Sequence, residues 1–154
     1  MDLLSLALAS GRSSRLYQEL VYRRKITRTV DAYSHGLEGT GVFYFDAKVQ
    51  SQSSVEAVED ALWGEIEKVR RDPLGAAELE KAKNRAEMGV VNSLVALGSR
   101  ADRMQHGWCF KRNTAHCFNE IAIYRSITAE EILHAANHRL DRSHCVVGHI
   151  IPKA

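Results

Sequence analysis

The side chains that could do chemistry in this sequence are seven histidines, three cysteines and a run of cations near the N-terminus. His134 and His138 are spaced i, i+4 in a segment with helical periodicity. That spacing puts two imidazoles on one helical face, the arrangement zinc hydrolases use for two of their protein ligands. The residues between them are Ala135, Ala136 and Asn137, so no carboxylate stands where a general base would be needed, and no third ligand follows at a set spacing. The pair reads as solvated helix histidines. Cys109, His116 and Cys117 form a looser group around an expected turn and carry no ligand spacing either. None of the three cysteines is spaced C-x-x-C, so Cys109, Cys117 and Cys145 read as buried thiols, with one disulfide as the alternative. No metal site is expected in this chain.

Arg12, Arg15, Arg23, Arg24, Lys25 and Arg28 crowd into one stretch, and clustered cations can hold phosphates or an acidic surface. Glu19 interrupts the group and the formal net charge is only +2, which fits a solvated helix face with a few ion pairs. A committed nucleic-acid binder carries a larger basic excess, so no nucleic-acid partner is expected. Gly11, Gly36 and Gly39 form no G-x-G-x-x-G or Walker pattern, which removes nucleotide binding. The longest apolar stretch, Met88 to Leu97, is broken by Asn92 and Ser93, and Met1 is not followed by a charged region and an apolar one. No membrane span or leader is therefore expected. At 154 residues, 45% apolar and 26% charged, the chain fits one globular domain over residues 1–154.

The elements that must position these groups follow from periodicity. Leu3 to Ala9 is a strong helix former ending near Gly11, and a second short helix starts at Ser13 or Ser14 with Leu16 and Leu20 on its apolar side. Ile26 to Ser34 and Val42 to Val49 are rich in β-branched and aromatic residues and read as two antiparallel strands joined by a glycine-rich loop, His35 to Gly41. Ser53 and Glu56 have the form of a capping box ahead of a helical stripe, Val55, Val58, Leu62, Ile66 and Val69. A second stripe runs Leu79, Ala82, Ala86, Val90, Leu94 and Leu97, with Gly98 able to kink or divide it. Ser99 to Lys111 and Ala115 to Tyr124 are helix-compatible, and Thr128 with Glu131 caps a last helix through Leu140. Cys145 to Ile151 is apolar on both alternating sets, as in a strand covered on both faces, and ends at Pro152. The order implies an α+β fold, an antiparallel sheet with helices packed on it.

Ser14-Arg15-Leu16-Tyr17-Gln18-Glu19-Leu20 resembles the Ser-Arg-Leu-(Phe/Tyr)-x-x-Leu segment of the pitrilysin, insulysin and mitochondrial-processing-peptidase family. The likeness continues in order through the two strands, the Val55 helix, Ala77 to Lys83, Ser126 to Ile132 and the closing apolar segment, so it covers nearly the whole chain. In that family two similar α+β halves face each other around a chamber, and the N-terminal half carries His-x-x-Glu-His for zinc. This chain has no such motif, nor His-Glu-x-x-His, and resembles the C-terminal, non-zinc half.

The resemblance implies a parent that is a zinc metalloendopeptidase, with zinc in its catalytic half and a chain that is inactive alone. Partners implied are that catalytic half or a partner subunit of the same family, and a peptide substrate. An assembly or scaffold domain from an inactive member is the alternative. C-terminal halves that assist catalysis often carry an Arg and a Tyr reaching the substrate carbonyl; the corresponding positions here are Val21 and Arg28, and neither matches. Arg28 and Arg24 are the substrate-binding candidates. A family half usually opens with a strand that has no counterpart before Leu3, so the resemblance implies a truncated start and a sheet edge open to a second copy of the chain. The parent would be at home in the bacterial periplasm or cytoplasm.

Overall fold

A computed structural model describes residues 1–151. Helix α1, Asp2–Ala9, is apolar almost all round and becomes the most enclosed element, with Leu3, Leu4, Ala7 and Leu8 buried. The chain leaves it through Gly11 at φ +77, where the guanidinium of Arg85 occupies the space that a Cβ would need. The next turn, Tyr17–Arg23, is π-helical, with the N–H of Ile26 donating to the carbonyl of Leu20 at 3.0 Å and that of Arg24 to Glu19 at 2.9 Å. Leu16 and Leu20 point inward from it, and Lys25 at φ +55 turns the chain into the sheet.

Strands β1, Thr27–Leu37, and β2, Thr40–Val49, form an antiparallel hairpin with Tyr33 opposite Tyr44 and Gly36 opposite Gly41. The loop expected over His35 to Gly41 is thus almost all strand, and only Glu38 and Gly39 link the two. Gly36 and Gly41 pair at the exposed tip of the hairpin, where no side chain is needed for packing, so glycine's weakness in a strand costs little there.

Helix α2, Val55–Arg71, buries Val58, Ile66 and Val69 as the spacing predicts. Its cap is Ser54, whose hydroxyl accepts from the N–H of Ala57 at 3.1 Å, and not Ser53. Helix α3, Ala76–Val95, buries Ala82, Ala86 and Val90, and their small size lets α1 pack closely against it. The chain straightens at Ala96 and restarts as α4, Leu97–Lys111, so the division falls two residues before Gly98. Leu97 is exposed rather than part of the core stripe, because the break ends the helical register that would have carried it inward. Helices α5, His116–Ser126, and α6, Ala129–Arg139, follow, the latter with the full reciprocal cap. Thr128 N–H donates to Glu131 at 2.8 Å, and Glu131 N–H to Thr128 Oγ1 at 3.2 Å.

The hairpin alternates. Val30, Ala32, Phe43, Phe45, Ala47 and Val49 meet the helices, and the core is continuous from α1 through α2, α3 and α6. Helices thus cover one side of a two-stranded sheet, which is the α+β arrangement expected.

The closing strand expected at Cys145 to Ile151 does not form. The segment is unpaired, with Val146 98% and Ile150 101% exposed, and it touches α2 where His149 Nε2 lies 3.6 Å from Glu59 Oε2. Apolar alternation is a local property, whereas a strand needs a neighbour, and neither β1 nor β2 runs beside it. The expected end of this strand at Pro152 lies outside the described residues. The three thiols are free, and only Cys117 is buried; Cys109 and Cys145 face water because α4 buries little beyond Gly107 and the last segment buries nothing.

Candidate functional site

The side of the sheet turned away from the helices is left uncovered by the described residues. Thr29, Asp31, Tyr33 and His35 of β1 and Val42, Tyr44, Asp46 and Lys48 of β2 are all exposed on it. Alternation alone places them there, since their odd and even partners are taken by the core. Tyr33 and Tyr44 stack, with ring centroids 4.9 Å apart and planes 21° from parallel. The next rung sets Asp31 opposite Asp46, and the one beyond sets Thr29 opposite Lys48.

Arg28 stands at the end of this face for a definable reason. Pairing steps from Thr27 with Val49 directly to Thr29 with Lys48, so Arg28 has no partner and occupies a β-bulge, a device that re-aims a side chain. Its Nε donates to Gln50 Oε1 and its Nη2 to Ser51 Oγ, both at 3.3 Å, and the guanidinium stays exposed. Arg24, the other candidate, closes the π-helical turn and is committed to Glu19, with Nε 2.8 Å from Oε1. That ion pair, opposed by partial burial, holds the Glu19 carboxyl below its usual range. No hydrogen bond joins Arg24 to Arg28 among the described residues. Val21 packs its side chain against the core edge and offers no donor.

Two of the remaining cations of the group, Arg15 and Arg23, are held in ion pairs. Arg15 makes a two-point contact to Glu78 at 2.7 Å for each bond, tying the π-helical turn to α3, and this pairing raises the Arg15 pKa further. Arg23 also leans on Glu19, at 3.4 Å. Glu65, largely buried in α2, is met by Lys68 at 2.5 Å. Nearness in the chain groups these arginines and does not show Glu78, which comes from a later helix.

The histidine pair is brought together, with the His134 and His138 rings 4.3 Å apart on the exposed side of α6. Among the described residues no three His, Cys, Asp or Glu side chains converge as a metal-ligand set, so zinc does not fit the residues present. Trp63 is buried under Arg142, whose Cζ lies 4.9 Å from its ring centre, while Trp108 is exposed. What sequence reasoning missed is the open sheet face itself. The alternation of Asp31, Tyr33, Tyr44 and Asp46 was there to be read, but which alternating set faces out becomes clear only once the helices take their side.

Comparison with known proteins places this arrangement. The inactive peptidase domain from Bordetella parapertussis superposes with a TM-score of 0.87 at 22% identity, over 99% of this chain and 80% of that one. A protease from Helicobacter pylori superposes at 0.80 with 21% identity, over 91% of this chain and 34% of that one. These likenesses establish the fold. In sequence, the zinc protease PqqE of Helicobacter pylori is 28% identical over 94 residues, 61% of this chain. The chain spans only 21% of that relative's length. The family description "peptidase M16 inactive domain" matches residues 1–86, more than half of the 154. On that match, with the fold in agreement, the chain belongs to the peptidase M16 inactive-domain family.

Proposed function

We propose that this chain is the non-zinc half of a zinc-dependent metalloendopeptidase, and that it shapes the chamber in which peptide is held while the zinc-bearing half cleaves it. The observation that carries this reading is the one-sided sheet. Helices take one face, and the other presents tyrosines, aspartates and Arg28 to solvent with none of the described residues upon it. A half that built only a scaffold would have less use for exposed aromatic rings on that side. Zinc and the base that activates water belong, in this reading, to the partner half, and this chain contributes position and electrostatics.

Arg28 is the better placed of the two cationic candidates. Its two bonds are long and to neutral acceptors, so the guanidinium keeps donors for a peptide carbonyl or carboxylate, whereas Arg24 is held by Glu19. With the zinc-bearing half added, Arg28→Ala is expected to raise KM about tenfold, the loss of one charge-assisted contact. Arg24→Ala should leave KM within about twofold, since an exposed ion pair contributes little. Steady-state kinetics on a peptide series checks both. Equal, small effects from the two variants would remove Arg28 from the site, and no enhancement of cleavage on adding this chain to the zinc-bearing half would favour a scaffold role.

A further inference from the structure

We infer that the open face of the β1–β2 hairpin selects peptides carrying a cationic side chain, with Asp31 and Asp46 receiving the charge and the Tyr33–Tyr44 stack receiving the stem or the flat guanidinium. The inference rests on the reading that peptide meets this face, and it names the class of peptide.

The cross-strand register sets the geometry. Asp31 and Asp46 are direct cross-strand partners on one face, and like charges so placed weaken a hairpin. None of the ion pairs among the described residues involves Asp31 or Asp46. Arg28, close by in the sequence, is turned to Gln50 and Ser51 instead. Lys48 shares the face one rung further on, opposite Thr29, and forms no ion pair with either aspartate. The carboxylate pair is therefore a local negative patch on a chain whose formal net charge is +2.

The adjacent rung supplies the second half of the fit. Tyr33 is 51% and Tyr44 42% exposed although both are large rings, and they stack on the solvent side. Exposed aromatic faces beside opposed carboxylates suit a guanidinium or ammonium group, which gains from the ring quadrupole and from the charges together. A peptide carboxylate or acidic side chain would meet repulsion at the same rung. The occupant with complementary charge is an extended peptide with an arginine or lysine side chain directed at the aspartate rung.

The test uses the full chain and three short peptides that differ at one central residue: arginine, its neutral isostere citrulline, and glutamate. Binding is read from amide shifts of residues 29–35 and 42–48 in two-dimensional NMR. The inference expects the arginine peptide to bind at least about tenfold more tightly than the citrulline one, a preference lost as salt rises. In the double variant Asp31→Asn with Asp46→Asn that preference should disappear, while thermal stability holds or rises because the like-charge rung is gone. Peptides that bind this face equally well whatever the central residue, or a preference that survives the double substitution, would overturn the charge selection and leave the chamber reading standing. Shifts from no peptide at all, with or without the zinc-bearing half, would overturn both.

Discussion

Lys25 holds φ at +55, a left-handed conformation that costs a residue with a Cβ roughly 1–2 kcal/mol. It is kept because the chain must leave the π-helical turn and enter β1 within three residues, Arg24, Lys25 and Ile26. Lys25→Gly is accordingly expected to stabilise the fold by about 0.5–1 kcal/mol, the strain relieved less the extra freedom glycine has when unfolded. Chemical denaturation measures this directly; a loss of stability would mean that the lysine side chain makes a contact that outweighs its backbone. The sequence displayed this site only as one more cation in a basic run. That Arg15 is structural became legible only when Glu78, distant in the chain, arrived beside it. Arg28 was legible as a departure from a family pattern, but its place in a bulge was not, since bulges depend on the register of two strands rather than on one.

Among the elements, patterns that depend on near neighbours are legible in the sequence. The Thr128 and Glu131 cap is present with both of its bonds, and the Val58, Ile66 and Val69 stripe is buried. Thr128→Ala should cost about 1 kcal/mol, as loss of a helix N-cap does, and shift the thermal midpoint down by a few degrees. No change in midpoint would indicate that α6 is held entirely by its packing through Ile132 and Ala136. Patterns that depend on distant neighbours were read less well. Cys145 to Ile151 has the composition of a buried strand, but neither β1 nor β2 lies beside it. The glycine-rich segment from His35 to Gly41 pairs almost to its tip because the exposed end of a hairpin tolerates residues without side chains. Ser54 takes the cap that Ser53 would equally have suited, a choice of one residue that sequence cannot make.

For the whole molecule, membership in the peptidase M16 inactive-domain family was legible from short segments in the right order, above all Ser14 to Leu20, and the fold agrees over nearly the full chain. The side of the sheet that faces water was not, because it is decided by where the helices pack. The central claim is that this chain supplies shape and peptide contact to hydrolysis performed by a zinc-bearing half. The most direct measurement is cleavage of a quenched fluorescent peptide by the chain alone and by the chain mixed with the zinc-bearing half, each with and without a chelator. The account predicts no turnover from the chain alone at any zinc concentration, and chelator-sensitive turnover from the mixture that exceeds the zinc-bearing half by itself. Chelator-sensitive cleavage by the chain alone would contradict it.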